Sequence, residues 1–203
     1  MSESQSTIKR RILKPGSALS TGAREELDAL LGPAGADRTA RIKGLDPVEG
    51  RPLILKRPIT APDALNEAYD YTKPSSFSRG MRVELPGVSM LYLSGTASVD
   101  DEGRTVYPGD FAAQCLRTFR NLTRLLAAED ASWHDIVRTS CYLRDIDRDY
   151  DEFNEVRTMF MNALGLHPLP ASTGIQAGIC RSDLLVEIEA IAIVPSKSGH
   201  RQG

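Results

Sequence analysis

The segment LLVEIEAIAIV, residues 184–194, is the tightest constraint on what this chain can fold into. Side chains alternate across a strand, so Leu184, Val186, Ile188, Ala190, Ala192 and Val194 share one face. Leu185, Glu187, Glu189, Ile191 and Ile193 share the other. Both faces are mostly apolar, which predicts a central strand covered by one layer on one side and by a second layer or another subunit on the other. A carboxylate in such a place needs a partner or a raised pKa. Two readings stay open for Glu187 and Glu189: they bond backbone or arginine groups at a subunit seam, or one of them holds or activates water.

The elements around that strand follow from periodicity. Residues 81–85 (MRVEL) and 89–95 (SMLYLSG) read as strands flanking a Pro86-Gly87 turn, with a hairpin or loop tip at SVDDEGRTV. Phe111, Cys115, Phe119, Leu122 and Leu126 recur at three and four, predicting a helix over about 110–129 with one buried face. IVRTSCYLRD alternates as a half-exposed strand. A second helix is expected over about 148–164, ended by Gly165. Two strands close the pattern, at about 171–179 and 184–194. The order β-β-β-α-β-α-β-β predicts an α+β layer, a mixed sheet with two helices on one face.

Residues 1–60 read differently. They hold no aromatic residue and are rich in Arg, Gly, Pro and Ser. One helix is expected over residues 20–32, capped by Ser20 or Thr21, with Glu25 and Glu26 in its first turn and Gly32-Pro33 as its stop. RPLILKRP could be a short strand. The expected organisation is an N-terminal extension over 1–60, partly flexible, and a folded domain over 61–203.

Composition removes several function classes. The net charge of −2 gives no electrostatic footprint for nucleic acid. No window approaches the roughly 18 apolar residues of a membrane-spanning helix, so no membrane partner is expected. The start lacks the apolar run of a secretory signal. Cys115, Cys141 and Cys180 lack CxxC spacing and read as small core residues in a reducing, cytoplasmic setting. His134, His167 and His200 share no ligand spacing, so no metal is expected. The run DIDRDYDEFNE alternates acids like a calcium loop, but Tyr150 and Val156 stand where that loop needs Gly and Glu. It reads instead as an acidic helix cap. Neither nucleotide-binding glycine motif occurs, and Ser94 lacks the spacing of a nucleophile elbow.

Taken together, LYLSGTASVD, GDFAAQCLRTFRNLTRLLAAEDASWHDIVRTSCYLRD, FNEVRTMFM and PASTGIQAGICRSDLLVEIEAIAIV resemble the RidA (YjgF-type) reactive-intermediate deaminases over residues 76–194. The resemblance implies a chorismate mutase-like fold and a homotrimer with clefts between subunits. It further implies hydrolysis of an imine, enamine or related small carbonyl compound, without metal or organic cofactor. The family's water-positioning Glu falls on Glu187 and its cleft Ser on Ser94, the two expected catalytic residues. The family's substrate-binding Arg falls on Ser172, because PARS has become PAST, and its cleft Tyr falls near Phe77. Arg79 is the candidate replacement cation, and Thr173 a further hydrogen-bonding residue. The resemblance also admits a non-catalytic ligand-binding or regulatory trimer, and a chorismate-hydrolase-like enzyme.

Overall fold

The computed structural model describes residues 20–32, 44, 54–62, 65–71 and 74–196. The chain divides into two units, Met1–Leu53 and Ile54–Gly203. In the first unit the described residues form helix α1, Thr21–Leu31, exposed throughout. Ser20 caps it: its hydroxyl accepts from the Ala23 N–H at 3.2 Å. Glu25 and Glu26 therefore lie beyond the first turn, not within it. The rest of the expected extension before residue 54 lies outside the described residues.

The second unit begins earlier than the expected boundary at residue 61. Strand β1, Lys56–Pro58, pairs antiparallel with β2, Gly80–Leu85. Ile59 just after it is fully buried. Arg57 is held by both oxygens of Glu129, at 2.7 and 2.6 Å. The prolines around β1 suggest a linker, yet an edge strand tolerates them.

The sheet continues through β3 (Val88–Ala97), β4 (Ile136–Leu143), β5 (Ala171–Gln176) and β6 (Val186–Pro195), in the spatial order β1-β2-β3-β6-β4-β5. Among the described strands only β4 and β5 pair in parallel, and the helix α3, Ile146–Ala163, makes their crossover. Helix α2, Phe111–Ala127, lies between β3 and β4 in sequence. Among the described residues no helix is long and apolar enough to cross a membrane.

Both long helices start at aspartates. Asp110 accepts from the Ala113 N–H at 2.9 Å, and Asp145 from the Arg148 N–H at 3.1 Å. Each satisfies an amide that the first turn leaves unbonded. The acidic run beginning at Asp145 is thus a helix cap. The helices bury Cys115, Phe119, Leu122, Leu126 and Phe153 against one sheet face. Phe119 stacks on Phe160 at 4.8 Å and meets Trp133 edge-on at 5.5 Å. Cys115 and Cys141 are buried as expected, but Cys180 is exposed, because it lies in the turn between β5 and β6 rather than in either strand.

Candidate active site

The central strand β6 does have two different faces. Val186, Ile188, Ala190, Ala192 and Val194 are buried under the helices, whereas Glu187, Glu189, Ile191 and Ile193 face away. Pairing of β3 with β6 slips between Leu93 and Thr96, so Ser94 and Gly95 form a bulge opposite Glu189, while Glu187 pairs with Ala97. Bulges re-aim side chains in this way. A Cβ at position 95 would stand 2.0 Å from Oε1 of Glu187, so only glycine lets that carboxylate lie against the β3 backbone. Burial pushes the Glu187 carboxyl above its ordinary pKa, and the Glu189 charge adds to this. Arg79 opposes both. Glu189 is held by the Tyr142 hydroxyl, which donates to it at 3.0 Å.

The same bulge sets Ser94 opposite Glu189. Its hydroxyl donates to the Ser78 carbonyl at 2.7 Å, so its proton is committed and its lone pairs are what it can offer a ligand. With its proton directed to a carbonyl rather than to a base, the side chain suits an acceptor role better than a nucleophile's. Phe77 and Ser94 line a groove of about 410 Å³ together with Met81, Tyr92, Arg138 and Glu189. Thr173 touches one of these lining residues: its hydroxyl accepts from Arg138 at 3.1 Å.

Arg79 is 5% exposed. Its guanidinium donates to the Asn66 carbonyl at 3.1 Å and to the Tyr71 hydroxyl. It also lies over the rings of Tyr71 and Phe77, at 4.7 and 5.4 Å. Its backbone N–H donates to Glu67. Burial lowers its pKa, and the charge of Glu67 works against that. The cation expected to meet an anion in the cleft is therefore largely taken up by the protein, while its charge still acts on Glu187. Glu67 is itself buried, with one carboxylate oxygen unpartnered, and burial raises its pKa. Tyr71 is seated over Gly103, where a side chain would collide with the ring.

Ser172 does not join this group. In β5 it pairs with Thr139, while Thr173 pairs with Ser140, so Ser172 and Thr173 point to opposite sheet faces. On the helix side the Ser172 oxygen accepts from the buried Thr139 hydroxyl at 3.0 Å and from Arg157 of α3 at 3.2 Å. The expected site residues thus form two groups. Ser94, Glu187, Phe77, Arg79 and Thr173 belong to one face, and Ser172 to the other with a guanidinium that the sequence reading missed. Phe153 and Arg157, four apart on a helix, were the available signal. Among the described residues no three His, Cys, Asp or Glu side chains gather as a metal-binding set.

Residues 74–194 match the family model described as Endoribonuclease L-PSP. The chain belongs to the L-PSP family. This is the group that also contains the RidA, RutC and YjgF proteins. The 3-aminoacrylate deaminase RutC of Acinetobacter baylyi is 28% identical over 106 residues, 52% of this chain and 80% of that protein. A chorismatase of Streptomyces rapamycinicus is 32% identical over 127 residues, 59% of this chain but 37% of that protein. The crystal structure of the YjgF gene product of E. coli superposes with a TM-score of 0.55 at 25% identity, covering 68% of this chain and 98% of that one. The mixed sheet with helices on one face, expected from the strand order, is this L-PSP fold, the chorismate mutase-like arrangement that the resemblance implied.

Proposed function

We propose that this L-PSP protein is a hydrolase of electron-rich small substrates, an imine, an enamine or a related carbonyl compound, and that Glu187 is its proton-handling group. The observation that carries the reading is the carboxyl of Glu187 laid on the Gly95 bulge and pushed up in pKa by burial. An enamine is protonated on carbon to an iminium. Water then adds to the iminium carbon, and the carbinolamine expels ammonia to leave a carbonyl. A carboxyl that keeps its proton at higher pH can supply the first step, and its carboxylate can hold the attacking water. Ser94 would accept a hydrogen bond from substrate or water, while Phe77 and Thr173 would line the approach. No cofactor is invoked.

The two groups of residues on opposite sheet faces cannot meet one small substrate within a single chain. A second copy would resolve this, with the exposed edge strand β5 of one subunit set beside the Glu187 face of the next. We therefore propose the homotrimer with inter-subunit clefts that the resemblance implies. Sedimentation of a stable monomer at micromolar concentration would remove that assembly.

A specific observation favours a second reading. The chorismatase match is longer and more identical than the RutC match. An enol ether, like an enamine, is protonated on carbon and then takes up water, so the same carboxyl serves either substrate. One experiment separates the readings: keto-acid release from freshly generated 2-aminoacrylate and, in parallel, from chorismate, with the natural protein and Glu187→Gln. Release from 2-aminoacrylate, lost in the variant, supports the deaminase reading. Release from chorismate alone moves the protein to the second. Silence on both by a well-folded oligomer leaves a ligand-binding or regulatory protein.

A further inference from the structure

Strand β6 sends two carboxylates to the open face, Glu187 and Glu189. Two residues apart on one strand, their Cα atoms are about 7 Å apart, so one small substrate can meet both. Their surroundings differ. Glu187 lies against the β3 backbone at Gly95. Glu189 lines the groove of about 410 Å³, together with Phe77, Ser94 and Arg138. On β4 it pairs with Ser140, and on β3 it stands across from the bulge at Ser94 and Gly95.

One oxygen of Glu189 is held and the other is open. The Tyr142 hydroxyl donates to Oε1 at 3.0 Å. Among the described residues Oε2 has no hydrogen-bond partner, and neither oxygen pairs with a cation. Burial first, and then the bond to Glu189, raise the Tyr142 pKa, so the phenol keeps its proton and remains a donor. The carboxylate is thus oriented through one atom and can take a proton through the other. Tyr142 and Arg138 face the two carboxylates from β4, Tyr92 lines the same groove from β3, and the Arg79 charge acts on Glu187 from the segment before β2. Neighbouring carboxyl groups in unlike surroundings can divide acid and base work between them.

We infer that Glu189 is a second catalytic residue, the base that takes a proton from the attacking water, and that Tyr142 is its positioning residue. This rests on the hydrolase reading above and divides its steps between two carboxylates. Glu187 gives its proton to the enamine carbon, and the nitrogen lone pair closes the iminium. The oxygen of water adds to the iminium carbon while the Glu189 carboxylate takes one of its protons. Glu189 returns that proton to nitrogen, the C–N bond breaks, and ammonia leaves. The Glu187 carboxylate takes the hydroxyl proton as the carbonyl forms, and both groups are back in their starting states.

The imine of pyruvate enters this sequence after the carbon is protonated, so it isolates the water step. The test is pyruvate release by the full-length protein from that imine, formed from alanine by an amino-acid oxidase, and from 2-aminoacrylate. Glu189→Gln is expected to lower kcat by about a hundredfold with both substrates. Tyr142→Phe should lower kcat by about tenfold, the worth of one hydrogen bond to a charged group, and leave KM nearly unchanged. Added formate should restore part of the rate to Glu189→Ala, because it replaces the missing carboxylate, whereas a residue with only a structural role gives no such rescue. If the Glu189 variants misfold, the kcat-against-KM split in Tyr142→Phe decides. Full activity of Glu189→Gln, or a loss confined to 2-aminoacrylate, overturns the inference and leaves the hydrolase reading standing. Silence of the natural, well-folded protein on both substrates removes that reading, and the base with it. If chorismate alone is turned over, Glu189→Gln should slow it as much, and an unchanged rate overturns the inference there too.

Discussion

On its helix-covered face the sheet presents Leu91, Leu93, Cys141, Leu143, Ile188 and Ala190, none more than 2% exposed. On its other face Tyr92, Ile193 and Ile175 are about two-fifths exposed, among half-buried charges. The same strands supply both sets, one residue apart. The first face is finished within a single chain, as packing of a domain core requires. The second has the composition of a surface that awaits a ligand or another subunit. Stability and function are thereby separated by the pleat: substitutions on one face should unfold the protein, and those on the other should spare its fold while changing what it does.

The largest expected effect tests that separation directly. Phe119 is 2% exposed between Trp133 and Phe160. Its replacement by Ala should cost about 3–5 kcal/mol, the usual range for a buried aromatic. Tyr92→Ala on the open face should change monomer stability by no more than about 0.5 kcal/mol, as exposed positions do. Urea unfolding of both variants gives the comparison, and similar losses would mean that the open face is already part of the core.

Next comes the ionic cluster that fastens β1. Glu129, 6% exposed, takes Arg57 and the equally buried Arg82, the latter at 3.2 Å. Removing one partner of such a group leaves an uncompensated buried charge, so Glu129→Ala should cost about 3 kcal/mol. Hydrogen exchange should show β1 opening first. An unchanged β1 would place the domain boundary back near residue 61.

A comparable energy should appear in catalysis alone for Glu187→Gln. The change is nearly isosteric, and turnover should fall by about two decades, within the range of acid–base groups. Gly95→Ala should act through the same atom, since its methyl would occupy the place of Oε1. A rate unaffected by both variants would return Glu187 to a structural role at a subunit seam.

Periodicity carried most of this fold. The alternation in β4 and β6 and the three-and-four spacing in α2 are direct imprints of burial on one face, and the chain writes burial into residue type. The elements that periodicity could not reveal are those whose partners are remote in sequence. β1 looked like a proline-bounded linker because only its pairing with β2 and the Arg57–Glu129 contact make it part of the sheet. Of the site, Glu187 and Ser94 were named through the family resemblance, and the bulge that sets Gly95 against the Glu187 carboxylate could not be read, because it is a register property of two strands. Arg157 resembled any charged residue on an exposed helix face. Its contact with Ser172, on a strand fifteen residues later, exists only in the fold. The expectation that Arg79 meets the anion came from its neighbourhood in sequence. Its burial against Tyr71 and Glu67 could not be read there, because residues 61–76 carry no periodic signal.

The smallest effect contrasts two carboxylates of opposite environment. Glu187 is raised above its ordinary value of 4.5, chiefly by burial. Glu84, at the far end of the sheet, is lowered by hydrogen bonds from Ser89 and then from Arg82. A raised carboxyl binds more protons folded than unfolded, so it subtracts stability as pH rises from 4.5 through its folded pKa and keeps subtracting above. A lowered one adds stability above 4.5 and loses it as pH falls through its folded pKa. Glu187→Gln should therefore raise the melting temperature relative to the natural protein at neutral pH, with the difference closing as pH drops below 4.5. Glu84→Gln should lower it at neutral pH, and that deficit should likewise close in acid. Thermal melts of the three proteins from pH 4 to 8 measure both differences. Curves of the same sign would mean that Glu187 is paired by a cation in the assembled protein, so that its carboxylate positions water and the proton for the substrate comes from elsewhere.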